Sequence, residues 1–135
     1  MPRNVWSGTW WYYGGNAGNR LSRALYDAYV AKTKDDAPRG FVERGFTSVL
    51  AYATAIGATR STDAEPVIKA LETLELDSPN GSYRFRAEDH QSLCVVGTIG
   101  LAPLDRAPGW QVTTFQQVKG EDVVEPASPG KPFVD

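Results

Sequence analysis

The 135-residue chain has the length of one domain, and its 14 basic and 16 acidic side chains give a net charge of −2. These charges are interspersed, so no Lys/Arg block marks a nucleic-acid surface, and no run reaches the ~18 apolar residues of a membrane span. The first residues, MPRNVWSGTW, lack the basic and apolar regions of a signal peptide. This predicts a cytoplasmic protein or a chain that begins inside a longer one. We expect one domain over residues 1–124 and an extended, Pro-rich tail over 125–135.

The N-terminal segment predicts a strand followed by a helix. Residues 5–13 are rich in aromatic side chains and end at Gly14-Gly15, which we interpret as a break after the strand. Asn16 or Asn19 can cap the next helix, which ends before Pro38. Its apolar stripe consists of Leu21, Leu25, Ala28 and Tyr29.

A second helix is predicted over residues 41–60. Small residues between its large ones allow close packing, and its high apolar content indicates a helix covered on more than one side. Its predicted stripe consists of Val42, Phe46, Val49, Leu50, Ala53 and Ile56. For the third helix, Thr62 and Glu65 have the spacing of a capping box and Pro66 fits the first turn. Its stripe consists of Val67, Ala70, Leu71 and Leu74.

The hydrophobic pattern then changes to the period of strands. Tyr83 and Phe85 alternate after a Pro-Asn-Gly turn, and residues 93–101 are continuously apolar, as in a strand covered on both faces. Residues 109–118 predict a last strand. The order of strand, three helices and three strands indicates an α/β fold with the sheet flanked by helices.

Residues with catalytic chemistry are few. His90 is the single histidine, and it cannot form a metal site with Cys94 alone. Glu88, Asp89 and His90 are adjacent, but neighbours on a strand alternate faces, so we expect His90 to tie down a loop. Cys94 lies in an apolar run and is predicted to be a buried, inert thiol. The chain is therefore predicted not to be an enzyme, with no metal and no cofactor.

The aromatic start of the chain indicates small-molecule binding, because aromatic rings with a few polar groups line such pockets. Packing of Trp6, Trp10 and Tyr12 in a core remains an equal alternative. Glu43 and Arg44, at the start of the second helix, are either a solvated helix entrance or ligand contacts.

Six segments of the chain occur in a characteristic order and spacing: WYYGGNAGNR, GFTSV, TRSTD, VIKAL, DSPNG and DHQ. In this order and spacing they resemble the C-terminal third of type I periplasmic solute-binding proteins. These are the branched-chain amino acid and amide/urea receptors of ABC transporters. The resemblance covers residues 5–118, although Phe46 and Thr47 replace the family's common Tyr and Asp.

The resemblance implies a non-catalytic, small-molecule-binding part of a two-lobed receptor whose lobes are open parallel sheets flanked by helices. Two such lobes exceed 135 residues, so we expect a partial lobe that supplies one wall of the ligand cleft. Phe41 occupies the position where relatives place a ligand-facing aromatic ring. The remaining candidate ligand-binding residues are Glu43, Trp10, Trp11, Tyr12 and Tyr13.

The resemblance leaves three functions to compare. The first is the solute-binding component of an ABC transporter, periplasmic in its full-length form, with a permease as partner. The second is a cytoplasmic amide sensor of the same fold. The third is a small hydrolase using Asp89 and His90. A partial lobe would also expose an apolar face, from which we expect a homodimer.

Overall fold

The computed structural model describes residues 4–106 and 109–128. Among these residues, no helix is both long and apolar enough to cross a membrane. The helices are α1 (Tyr13–Asn16), α2 (Arg20–Thr33), α3 (Phe41–Thr59) and α4 (Ala64–Glu72). The strands are β1 (Val5–Thr9), β2 (Glu75–Ser78), β3 (Gly81–Phe85), β4 (Ser92–Cys94), β5 (Val96–Pro103) and β6 (Trp110–Val118), followed by a 3₁₀ turn, Gly120–Asp122.

The described strands form two three-stranded sheets, ordered β1-β5-β6 and β2-β3-β4. Each pairing is antiparallel, with Ser7 opposite Ile99 in the first sheet and Tyr83 opposite Cys94 in the second. The predicted α/β class with sheets flanked by helices is confirmed. The parallel sheets implied by the resemblance do not occur among the described strands, whose pairings, including that of β1 with the distant β5, are all antiparallel.

The apolar run over residues 93–101 does not form the single strand predicted. It divides between β4 and β5, which belong to different sheets, and Val95 is the residue between them. The Val95 carbonyl accepts a hydrogen bond from Asn80 Nδ2 at 2.7 Å. Apolar content alone does not show where a chain leaves one sheet for another, so the sequence pattern missed this crossing.

The N-terminal strand is shorter than the predicted 5–13. β1 ends at Thr9, and Gly14-Gly15 lies inside α1 instead of separating a strand from a helix. A Cβ on Gly15 would clash with the Phe115 ring on β6. Glycine is therefore required at position 15 because α1 packs closely on the sheet. The prediction that these glycines end a strand did not include this packing.

The helix caps are partly as predicted. Asn19 caps α2, accepting hydrogen bonds from the backbone N–H groups of Leu21 and Ser22. Asn16 does not cap it, since its side chain is buried between other elements. The capping box at Thr62 is wrong, because α4 starts after Asp63 and has no side-chain cap.

The predicted apolar stripes of α2 and α4 largely face the rest of the chain. In α2 the fully buried residue is Ser22, while Leu21, Leu25 and Tyr29 are half-buried and Ala28 is exposed. In α4 the buried residue is Val67.

α3 packs on the rest of the chain through a face other than the predicted stripe. Its buried residues repeat every fourth position and are polar or small: Glu43, Thr47, Ala51 and Ala55. Phe46, Val49 and Ala53 of the predicted stripe are exposed, and the stripe's other members are half-buried. The periodicity located a real apolar face, but the described part of the chain does not cover it.

A buried polar junction joins the two sheets. Asn80, in the turn between β2 and β3, accepts hydrogen bonds at Oδ1 from Asn16 Nδ2 at 3.1 Å and from Gln117 Nε2 at 3.2 Å. Gln117 lies on β6, and Asn16 ends α1. Since Asn80 also donates to Val95, one side chain links α1, β6 and the crossing segment.

The predicted tail is described only in part. Residues 125–128 form no helix or strand, and the Glu125 carbonyl accepts a hydrogen bond from Arg86 Nη1 at 2.8 Å. Residues 129–135 lie outside the described part of the chain. The division at residue 124 stays a prediction.

We predict that Gly120→Ala destabilises the fold by roughly 1–3 kcal/mol, the usual cost of overpacking. A Cβ at Gly120 would lie 2.6 Å from the Cys94 carbonyl oxygen and 2.7 Å from its nitrogen, and backbone atoms cannot easily move aside. Gly18→Ala is the control, because its Cβ would meet nothing within 4 Å. Urea denaturation of both variants measures the difference, and equal stabilities would contradict the prediction.

Candidate functional site

The start of α3 lies against the loop that follows β1. A Cβ on Gly40 would be 3.1 Å from the backbone nitrogen of Trp11 and 3.2 Å from that of Trp10. The Thr9 hydroxyl donates to the Trp11 carbonyl at 2.9 Å and fixes the turn of this loop. Glycine at position 40 therefore lets the aromatic loop and the first turn of α3 form one continuous surface.

Two aromatic rings are exposed on this surface. Phe41 is 72% exposed and Trp10 is 43% exposed. The Arg44 guanidinium stacks over the Trp10 ring, with Cζ 4.7 Å from the ring centroid. Exposed rings beside a cation can contact a flat or apolar part of a ligand. We call Trp10, Phe41 and Arg44 the aromatic wall.

Glu43 lies buried beneath the aromatic wall. Its Oε1 accepts a hydrogen bond from the Thr47 hydroxyl at 2.7 Å, and its Oε2 lies 3.5 Å from Arg44 Nε. Among the described residues, Oε2 has no hydrogen-bond partner, and neither do Arg44 Nε and Nη2. The pair thus keeps one acceptor and two donors that the described protein groups do not use.

Tyr83 also lies near this charged pair. Burial raises the pKa of the Tyr83 phenol, while the nearby Arg44 charge acts in the opposite direction and Glu43 raises it further. The neutral phenol is therefore favoured next to the buried carboxylate.

The other predicted ligand-binding residues lie in different surroundings. Trp11 is 2% exposed, and its Nε1 donates to Ser22 Oγ at 2.9 Å. Tyr12 packs edge-on against Phe115, with centroids 5.6 Å apart. Tyr13 stacks on Tyr26 at 3.6 Å. The six candidates therefore do not converge on one point, since Phe41 and Trp10 are exposed whereas Trp11 and Glu43 are buried.

Tyr12 and Tyr13 line a groove of about 730 Å³ beside the sheet of β1, β5 and β6. Trp11, Tyr26 and Trp110 complete its aromatic lining, and residues 36–40 form another side. Sequence reasoning did not include Tyr26 or Trp110, because residues so far apart along the chain show no common pattern. Thr47, in contrast, had a visible signal, since it follows Glu43 by four residues and shares its helix face.

The Asp89–His90 pair does not assemble for acid–base chemistry. Asp89 accepts two hydrogen bonds from Arg86, at 2.8 and 2.6 Å, and these lower the pKa of its carboxyl group. His90 Nε2 instead lies 2.9 Å from Glu72 Oε1 on α4. His90 thus ties the β3–β4 turn to a helix, as the sequence predicted.

The thiol and the metal-ligating side chains are the remaining groups with reactive chemistry. Cys94 is buried, as predicted. Within residues 4–106 and 109–128, no three His, Cys, Asp or Glu side chains are grouped to hold a metal ion.

Comparison with protein families identifies the class of the chain. The family model described as "Periplasmic binding protein" matches residues 3–100, which is most of the sequence. The chain therefore belongs to the periplasmic binding protein family, and the resemblance found in its motifs is confirmed. The search of curated proteins gave no match.

Solved structures support the same class. An ABC-type branched-chain amino acid transporter protein from Rhodopseudomonas palustris CGA009 matches 96% of this chain with a TM-score of 0.81 and 26% identity. The leucine-, isoleucine-, valine-, threonine- and alanine-binding protein from Brucella ovis, in its closed conformation, matches 96% with a TM-score of 0.75 and 16% identity. An ABC transporter protein from Rhodopseudomonas palustris is 36% identical over 56% of the chain, with a TM-score of 0.53.

The chain is much shorter than these proteins. It spans 34% of the length of the first of them, 35% of the second and 23% of the third.

We predict that Thr47→Val destabilises the fold by about 1.5–3 kcal/mol, the usual value of a hydrogen bond to a charged group. The substitution preserves the side-chain shape but leaves buried Glu43 Oε1 without its donor. Thr54→Val is the matched control, since Thr54 is exposed on the same helix and its hydroxyl bonds only to the Leu50 carbonyl. Urea denaturation measures both variants.

Replacing Glu43 by Gln in the Thr47→Val variant tests the cause of the loss. The neutral amide costs less to bury than a carboxylate, so part of the lost stability is expected to return. Equal effects of Thr47→Val and Thr54→Val would show that the buried bond contributes nothing.

Proposed function

We propose that the chain forms the C-terminal part of the solute-binding component of an ABC transporter and that it binds solute without catalysis. The observation that carries this proposal is the aromatic wall at the start of α3, in a chain of the periplasmic binding protein family. The Rhodopseudomonas palustris CGA009 protein, described as an ABC-type branched-chain amino acid transporter, supports the transport role.

The proposed solute is a small amino acid, amide or related compound. Phe41 and Trp10 supply exposed ring surface for the apolar part of such a molecule. The Arg44 guanidinium, which stacks over the Trp10 ring, supplies a cation for the carboxylate or carbonyl oxygen of such a compound. Tyr12 and Tyr13 remain candidates through the neighbouring groove.

The proposed partner is an ABC permease, and the proposed location of the full-length receptor is the periplasm. Both follow from the family and apply to a protein about three times as long as this chain. In such receptors two lobes close around the ligand by a hinge motion, and the closed form differs in shape from the open one. The described chain supplies one wall of that cleft, so we expect it to bind solute weakly when alone.

Two other functions have less support. A cytoplasmic amide sensor of the same fold would use the same aromatic wall and differ in its partner and location. A hydrolase based on Asp89 and His90 has little support, because these side chains bind Arg86 and Glu72, respectively.

We predict that solutes bound by the chain perturb the NMR signals of Trp10 and of the first turn of α3. The experiment titrates the isotope-labelled chain with leucine, valine, urea, acetamide and aromatic acids. Weak binding is expected, because a single wall encloses only part of a ligand. Phe41→Ala and Trp10→Ala are each expected to reduce the affinity at least about fivefold, roughly 1 kcal/mol of lost ring contact.

Trp6→Ala provides the matched control for this titration. Trp6 is also exposed, at 57%, but it lies on β1 outside the aromatic wall, so its loss should leave binding unchanged. Equal weakening by Trp6→Ala would contradict the assignment, as would perturbations confined to other parts of the chain. Cell fractionation of the natural protein separates the remaining alternatives, with a periplasmic location supporting the transporter role and a cytoplasmic one the sensor.

A further inference from the structure

Glu43 is a fully buried carboxylate in the first turn of α3, with an exposed fraction of 0%. A carboxylate at this end of a helix is favoured by the helix dipole, but the dipole does not require it to be buried. Glu65 occupies the first turn of α4 and is exposed there. Because removing a carboxylate from water is costly, the burial of Glu43 indicates a specific charged partner.

The charged partner of Glu43 is its neighbour Arg44. The Thr47 hydroxyl donates to Glu43 Oε1 at 2.7 Å, and Oε2 lies 3.5 Å from Arg44 Nε. Successive residues of a helix do not normally face each other, so this contact requires the Arg44 side chain to bend back towards Glu43. Both Oε2 and Arg44 Nε are buried. The Glu43 carboxylate therefore cannot touch a solute, whereas it attracts the Arg44 guanidinium directly.

This attraction affects where the Arg44 guanidinium lies. Its Cζ is 4.7 Å from the centroid of the Trp10 ring, and the Arg44 side chain is 21% exposed, so it still reaches solvent at the aromatic wall. Holding a long side chain in one place costs rotamer freedom. Two attractions offset this cost, one to the Trp10 ring and the other to the buried carboxylate.

We propose that Glu43 is a positioning residue that holds the Arg44 guanidinium against Trp10, so that the aromatic wall prefers a carboxylate solute to the corresponding neutral amide. This role rests on the proposed solute-binding function and deepens it, since that function includes both amino acids and amides. Hydrogen bonds from a guanidinium to an ionised carboxylate are stronger than those to a neutral carbonyl oxygen. A guanidinium that is already fixed also loses less freedom when the solute binds.

The sign of the effect separates positioning from a direct effect of charge. Glu43→Gln removes the negative charge but keeps an oxygen that can accept from the Thr47 hydroxyl. If the charge acted directly on the solute, its removal would strengthen the binding of a carboxylate. If Glu43 positions Arg44, the same substitution weakens that binding, because the guanidinium is no longer held against Trp10.

The experiment measures dissociation constants by NMR titration for two matched pairs of solutes, benzoate with benzamide and leucine with leucinamide. The wild-type chain is expected to prefer the carboxylate at least about fivefold, and Glu43→Gln to reduce this preference to about twofold or less. Glu65→Gln is the matched control, since it removes the same charge from the first turn of another helix and should leave the preference unchanged.

A double substitution tests whether Glu43 acts through Arg44. Arg44→Gln removes the cation and is expected to abolish the preference for the carboxylate. Adding Glu43→Gln to this variant should then change the preference no further, because two residues that act as a unit are not additive. A further change of the same size as in the single variant would contradict the proposed route.

A spectroscopic measurement tests the positioning without any solute. The ring current of Trp10 should shift the Arg44 Nε–H proton signal upfield, and Trp10→Ala should remove this shift. Glu43→Gln is expected to remove most of it, while Glu65→Gln leaves it unchanged. The indole N–H of Trp11 is buried and hydrogen-bonded, so a constant Trp11 signal in Glu43→Gln shows that the loop is intact.

An unchanged Arg44 signal in Glu43→Gln would overturn the proposal, regardless of the titrations. Stronger carboxylate binding by Glu43→Gln would also overturn it, as would equal effects of Glu43→Gln and Glu65→Gln. If none of the four compounds binds to the wild-type chain, the proposed function fails and the solute preference fails with it. The Arg44 signal in that case still decides whether Glu43 holds the guanidinium.

Discussion

The hydrogen bonds of Asn80 are the constraint on which the rest of the structure depends. The strands within residues 4–106 and 109–128 form two small sheets that share no strand, and the connection from one to the other at Val95 is a single residue. Asn80 binds Val95, Asn16 and Gln117, so it fixes the crossing segment, the short helix α1 and the edge strand β6. Removing this amide would leave several buried polar groups unsatisfied at once, which makes the junction a cooperative unit.

The aromatic wall depends on that junction. α1 and the loop before it belong with the first sheet, whereas α3 packs near the second, through its contacts with α4. The contact of Gly40 with the backbone of Trp10 and Trp11 is possible only when the two parts are held in register. The positions of Trp10 and Phe41 therefore depend on the Gly40 contact, and through it on the junction at Asn80.

The sequence predicted those features that depend on neighbouring residues. α3 and β6 were located to within a residue, and Asn19 was correctly predicted as a cap, because periodicity and capping are local properties. Two predictions were wrong because the features concerned depend on contacts between residues that are distant in sequence. The crossing at Val95 requires Asn80, and the packed face of α3 is chosen by what lies against it. Hydrophobicity alone favours Phe46 and Val49 over Thr47 and Glu43.

The candidate site shows the same division. The family motifs led to Phe41 and the aromatic start of the chain. Phe41 is exposed at the start of α3, and Trp10 is exposed in the loop after β1. The burial of Trp11 and of Glu43 was not predictable from the sequence. Neighbouring residues of similar type, such as Trp10 and Trp11, are distinguished only by the direction in which the folded backbone points each side chain. The Trp10 ring stacks under the Arg44 guanidinium, whereas Trp11 Nε1 donates a hydrogen bond to Ser22 Oγ.

The buried Glu43 gives α3 its unusual orientation. A carboxylate is costly to remove from water, and Glu43 is tolerated because Thr47 donates to it and Arg44 lies 3.5 Å away. If α3 rotated to bury Phe46 and Val49, the hydrogen bond between Glu43 and Thr47 would become exposed to solvent. The Arg44 guanidinium would also move away from the Trp10 ring. The same polar contacts that assemble the aromatic wall therefore leave Phe46 and Val49 exposed among the described residues, so both features follow from one orientation of α3.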